Sequence, residues 1–163
     1  MTRSSILYTR TTRWQPADAL IRAWDAGHMS HAGIRLGDWV IDAAVWGGVA
    51  RTYLPDWMHG REIVADLPVL STSQGTQEQA ESELFDRIGQ RYDLAELAGF
   101  VLLRDLGDPD RPVCSRLGYD FLATACGLRI PGRQGRIGPR LLHTAHHSFN
   151  LGRSAVFTPG QSA

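Results

Sequence analysis

The sequence has only two cysteines, no apolar run near the length of a membrane span, and no excess charge of either sign. Each shortage excludes something. Cys114 and Cys126 fall at opposite ends of one helical pattern, too far apart to bridge, so no disulfide framework exists. A membrane-crossing helix needs about 20 consecutive apolar residues, and no stretch approaches that. Lys plus Arg and Asp plus Glu number 17 each, which gives no electrostatic reason to expect nucleic acid or an anionic membrane as partner. The opening residues Met1-Thr2-Arg3-Ser4-Ser5-Ile6-Leu7-Tyr8 lack the apolar core of a signal peptide. The default expectation is therefore cytoplasmic, with signal-independent export or a phage-associated setting as the other route. No repeat, low-complexity tract or linker interrupts the chain, and its 163 residues fit a single domain, 1–163.

What is there reads as strands first and helices later. Ser5 to Thr9 suits a short strand. Pro16 to Ala26 suits a helix, with Pro16 in the first turn and Gly27 to end it. Ser30 to Leu36 and Trp39 to Ala44 read as an antiparallel hairpin turning at Gly37-Asp38. Val49 to Leu54 and Glu62 to Leu67 are further strands. Thr76 and Gln79 form a capping box for a helix running to about Gln90, and Asp93 and Glu96 form another for a helix through Leu102. A polar loop, 107–112, precedes a helix from Val113 to Cys126, closed by Gly127. Residues 129–139 form a Gly-, Pro- and Arg-rich loop, Pro139 to His147 a short helix, and Ala155 to Thr158 a last strand. The fold class expected is α+β, an antiparallel sheet packed against a helix carrying a cysteine.

Three residues in two distant segments carry the chemistry. Cys114 stands in the first turn of its helix, where unpaired N–H groups and the helix dipole stabilise a thiolate. Leu117, Gly118, Phe121 and Ala125 share its face, so the thiol tops a buried stripe, and Gly118 admits a close neighbour. His31 alternates with the apolar Ala32, Ile34 and Leu36, which places it on the opposite face or at a sheet end. Asp42 interrupts the apolar run Val40-Ile41-Asp42-Ala43-Ala44, where a carboxylate is costly without a partner. Across the hairpin, His31 is that partner, and a carboxylate on one ring nitrogen orients the other as a base. Thiol, imidazole and carboxylate are the groups of a cysteine hydrolase. The plain alternatives are a small buried hydrophobe at Cys114 and a purely structural His31–Asp42 pair.

Other clusters say less. His143-x-x-His146-His147 is dense in imidazole but lacks the Glu of H-E-x-x-H and any completing ligand set, so a solvated or capping role is expected. Gly132 to Gly138 follows no strand and has no Lys-Ser/Thr ending, so it is not a phosphate loop. The tryptophans at 14, 24, 39, 46 and 57 read as core residues.

Taken in order, Ser30-His31-Ala32-Gly33-Ile34, Val40-Ile41-Asp42-Ala43, Gly48-Val49, Tyr92-Asp93, Cys114-Ser115 and Ile137-Gly138-Pro139 resemble the circularly permuted branch of the NlpC-type papain-like cysteine peptidases, a branch related to the lecithin-retinol acyltransferase group. The resemblance covers residues 5 to 145. It implies a permuted papain-like core with Cys114 as nucleophile, His31 as general base and Asp42 as the residue orienting it. Tyr92 would help bind the oxyanion, with the Cys114 backbone N–H as a second donor. It implies no metal or organic cofactor. Two positions depart from the pattern: Arg116 stands where family members often carry Glu, and Asp42 where a longer Glu is common. The substrate implied is an amide or peptide bond in a small peptide or bacterial cell-wall fragment. The alternatives are an acyltransferase or lipid-ester hydrolase using the same thioester, and a catalytically silent binding or assembly module of the same fold.

Overall fold

The computed structural model describes residues 4–12, 16–25, 28–95, 98, 112–131 and 137–156. Its strands are β1 (Ser4–Thr11), β2 (His31–Leu36), β3 (Trp39–Ala44), β4 (Gly48–Tyr53) and β5 (Arg61–Pro68). Its helices are α1 (Pro16–Asp25), the single turn α2 (Leu54–Trp57), α3 (Gln74–Asp86), α4 (Cys114–Cys126) and α5 (Pro139–Val156). The strands form one antiparallel sheet ordered β4-β3-β2-β1-β5. The α+β class expected from the sequence is what the chain adopts. Among the described residues no helix is long and apolar enough to cross a membrane.

Strand alternation sorts side chains onto two unequal faces. Ile6, Tyr8, Ala32, Ile34, Ile41, Ala43 and Val49 join the main core, together with Leu117, Phe121, Leu122 and Ala125 of α4. The intervening positions face the other way, where Leu7, Val40 and Trp57 make a smaller cluster edged by Leu54 and Met58. Helix α4 covers the first face, packing on β2 and β3 as well as on α3 and α5. The small cluster arises because β4 and β5 lie at opposite edges of the sheet. The chain joining them folds α2 back over the second face, with Pro55 in its first turn.

Close approaches are bought with missing side chains. A Cβ on Gly118 would lie 3.0 Å from Leu142 Cδ2, so the neighbour that Gly118 admits is α5. At Gly48 φ is +66°, and a Cβ would lie 2.2 Å from the Gln90 carbonyl oxygen. That contact docks residues 89–90 beside β4, where Val49 N–H donates to Gln90 O and Gly89 N–H to Val49 O, each at 2.8 Å.

Several boundaries differ from expectation. Helix α3 starts a turn earlier than the Thr76/Gln79 box implies: Ser73 is the N-cap and Thr76 the third helical residue, and the two cap each other. Thr76 Oγ1 also lies 3.0 Å from Ala125 O, and Thr72 N–H donates to the same carbonyl, closing the end of α4. The helix stops at Asp86, short of Gln90, because 89–90 pair with β4. Helix α5 runs on to Val156, absorbing Ala155 and Val156 of the expected last strand. Its buried spacing continues through Leu142, Ala145, His146 and Phe149. The turn α2 had no sequence counterpart. Most of the helix expected from Asp93 and of the loop at 107–112, and residues 132–136 of the loop at 129–139, lie outside the described residues.

Gly48→Ala is expected to destabilise the protein more than Gly60→Ala. Both residues have positive φ, but the Gly60 site is open whereas Gly48 faces a fixed backbone oxygen. Gly60→Ala should cost about 1–2 kcal/mol from the left-handed backbone alone, and Gly48→Ala measurably more. Urea unfolding midpoints of the two variants check this, and equal midpoints would contradict the close approach.

Candidate active site

His31 opens β2 and pairs with Thr9 of β1. Its ring projects to the second face of the sheet, with Gly33, because Ala32 and Ile34 occupy the first. The β2–β3 register, Leu36 with Trp39, Arg35 with Val40 and Ile34 with Ile41, continues to set Gly33 opposite Asp42 and His31 diagonal to it. His31 Nε2 and Asp42 Oδ2 lie 2.5 Å apart. The Asp42 side chain therefore reaches His31, and the hairpin pairing read from the sequence is present.

Asp42 is only 3% exposed. Burial raises a carboxyl pKa, yet that of Asp42 is held below the ordinary range. The hydrogen bond and charge of His31, an indole hydrogen bond from Trp57 and the charge of Arg61 outweigh the burial. Trp57 Nε1–H donates to Oδ2 at 2.8 Å, and the Arg61 guanidinium lies 3.8 Å from the same oxygen.

Cys114 is the first residue of α4, with Val113 as N-cap in extended backbone. Leu117, Gly118, Phe121 and Ala125 are buried with it, as the helical spacing requires. Cys114 lies close enough to His31 to raise its pKa. Asp42 takes Nε2, which leaves Nδ1 for a second partner. Burial is the largest single influence on His31 and lowers its pKa. The nearby Cys114, with the hydrogen bond and charge of Asp42, overturns that and pushes it up to about 10. At neutral pH the ring is an imidazolium donating from Nε2 to Asp42.

The segment Ile137-Gly138-Pro139 sits beside the same helix end. Ser115 Oγ–H donates to Ile137 O, and Leu142 N–H donates to Gly138 O at the start of α5. Tyr92 is buried in the main core cluster that also contains Val113, the residue before Cys114. Cys126 lies at the far end of α4, its thiol on Leu122 O and its pKa raised by burial. Arg116 turns aside to pair with Asp120.

The His143 cluster differs from expectation at His146, while His147 is exposed as expected. His146 is fully buried rather than solvated or capping. Its Nδ1 accepts from Tyr8 Oη at 3.2 Å, and its Nε2–H donates to Pro68 O at 3.1 Å. Tyr8 meets His143 edge-on, and His143 stacks on His147. Among the described residues no group of three or more His, Cys, Asp and Glu is placed to hold a metal ion. The tryptophans divide: Trp57 is core, Trp39 is partly exposed, and Trp46 is 95% exposed in the turn after β3. Trp14 and the Trp24 side chain lie outside the described residues, as does most of the Gly132–Gly138 segment. Sequence reasoning missed Trp57 and Arg61. The only signals for them were Gly33 on the His31 face and an apolar strand with an unpaired carboxylate.

No family model, curated protein or solved structure matches the chain.

Burial, followed by the neighbouring His143 and His147, lowers the His146 pKa to about 4, against the opposing pull of its Pro68 bond. The unfolded chain takes up this proton near pH 6.5 and the folded chain only near pH 4. Stability contributed by neutral His146 is complete above that window and is lost as pH falls through it. Histidine ring NMR should find His146 still neutral at pH 5.5. Protonation of His146 near pH 6.5 would contradict its burial.

Proposed function

We propose that this protein is a cysteine hydrolase of amide or peptide bonds, with Cys114 as nucleophile, His31 as general acid–base and Asp42 as its orienting carboxylate. The observation that carries the reading is the buried His31–Asp42 pair with Cys114, 72 positions beyond Asp42 in the chain, near enough to raise the His31 pKa. A silent module of the same fold has no need to bring a helix-terminal thiol onto a paired imidazole. The arrangement supports a permuted papain-like core, in which the segment bearing His and Asp precedes the cysteine helix.

The chemistry follows from the geometry. The Cys114 thiolate attacks the substrate carbonyl and forms a C–S bond as the C–O π electrons move to oxygen. The backbone N–H of Cys114, free in the first turn of α4, is a donor for that oxyanion, with Tyr92 proposed as the second. As the tetrahedral intermediate collapses, His31 Nδ1–H gives its proton to the departing amine and the C–N bond breaks. A water then attacks the thioester, neutral His31 accepts its proton, and the C–S bond breaks to restore the thiolate and imidazolium. The near burial of Cys114 and His31, 2% and 8% exposed, lowers the local dielectric and strengthens their electrostatic interaction. Peptides of the bacterial cell wall are the proposed substrate class.

Two outcomes test this reading. Cys114→Ala should retain the wild-type circular dichroism spectrum and lose all release of new amino groups from peptidoglycan stem peptides; undiminished turnover would refute the mechanism. Iodoacetamide at pH 7 should label Cys114 at least tenfold faster than Cys126 by peptide mass mapping, since only Cys114 has an imidazolium partner. Equal labelling would count against an activated thiol.

A further inference from the structure

The second face of the sheet holds a set of contacts that no sequence motif announces. Trp57 comes from α2 and Arg61 from the first position of β5, yet both converge on one oxygen of Asp42. That oxygen, Oδ2, is the one that holds His31.

Three features make the convergence specific. First, the indole is given room. A Cβ on Gly33 would lie 2.7 Å from Trp57 Cζ2 and 2.7 Å from Val40 Cγ1. A larger residue there would push the ring off the strand. Second, the indole lies beside the imidazole that shares its acceptor, with ring centroids 6.0 Å apart. Third, Arg61 is bound to the tryptophan itself. Its guanidinium lies 4.7 Å over the Trp57 ring and donates to the Trp57 carbonyl at 2.5 Å. Trp57 and Arg61 therefore move as a unit.

We propose that Trp57 and Arg61 are positioning residues that fix the Asp42 carboxylate, in both orientation and charge, so that it holds His31 protonated and aimed at Cys114. The physical basis is plain. A carboxylate on a strand rotates about its last side-chain bond unless both sides of an oxygen are occupied. His31 occupies one side and the Trp57 N–H the other, while the Arg61 charge favours the anion. Remove the indole N–H and the carboxylate loses a charge-assisted hydrogen bond, its ionised form is less favoured, and its support for the imidazolium weakens. Among the described residues, the titratable and charged groups bearing on this pair are Cys114 from α4, Asp42 from β3 and Arg61 from β5. Only the last is free to change without altering a reacting group or its direct partner.

Trp57 also fills the small core cluster, so a plain loss of stability would not distinguish positioning from packing. The test therefore reads a titration. The inference rests on the proposed acid–base role of His31, but its measurement needs no substrate.

His31 ring resonances are followed by NMR against pH in the wild type, Trp57→Phe, Arg61→Gln and Arg61→Lys, alongside the pH profile of Cys114 alkylation by iodoacetamide. Trp57→Phe keeps an aromatic ring and removes the N–H. It should lower the His31 midpoint by about one pH unit, a tenfold change in proton affinity, and move the alkaline limit of alkylation by the same amount. Arg61→Gln should shift both in the same direction by less, and Arg61→Lys should restore them towards wild type. A folded Trp57→Phe protein with an unchanged His31 midpoint overturns the proposal and leaves Trp57 a packing residue. Should Trp57→Phe fail to fold, Arg61→Gln decides, and an unchanged midpoint there overturns it equally. A wild type whose Cys114 shows no preferential labelling refutes the hydrolase reading instead, while the variant midpoints still decide this one.

Discussion

The constraint on which this structure turns is a carboxylate buried in an apolar strand. Val40, Ile41 and Ala43 leave Asp42 no water, and an unpaired charge there would cost several kcal/mol. The charge is satisfied at Oδ2 by an imidazolium, an indole N–H and a more distant guanidinium. Those donors come from β2, α2 and β5. Satisfying one anion thus ties together three separate stretches of chain and sets the direction of the His31 ring.

The sheet makes this possible by using its faces differently. The first face carries the bulk of the core and takes α4, whose N-terminus delivers Cys114 to the sheet end where β2 begins. The second face is thin, with Leu7, Val40 and Trp57 as its buried apolar residues. It has room for the α2 crossing because Gly33 presents no side chain. His31 stands at the strand end between these environments, with the Asp42 carboxylate on Nε2 and Cys114 near enough to raise its pKa. Ser115, next to Cys114, anchors the start of α5 through Ile137. The helix bearing the thiol is thereby held at its N-terminal end as well as along its flank.

The elements nearest the site were the most legible. The hairpin from His31 to Ala44, the helix from Cys114 to its Gly127 cap and the buried stripe below the thiol all follow from local alternation, helical spacing and a glycine with positive φ. The misread elements answer to partners distant in sequence. Helix α3 ends where residues 89–90 pair with β4, and α5 outruns His147 because its apolar spacing meets the main core as far as Phe149. His146 reads as a solvated imidazole until Tyr8 and Pro68, from strands at the other end of the chain, satisfy both of its nitrogens.

By itself the sequence determined the fold class, the pairing of His31 with Asp42 across a short turn, and the placing of Cys114 at a helix start. Each depends on periodicity or on residues fewer than 15 apart. Tertiary structure alone decided that Cys114 comes near His31, that Trp57 and Arg61 share the oxygen of Asp42, and that the exposed Trp46 is not core. The reason is one of reach. Local patterns state which face a side chain occupies, but which distant side chain meets it there depends on strand order and on the route of the connection between β4 and β5. No periodicity encodes either.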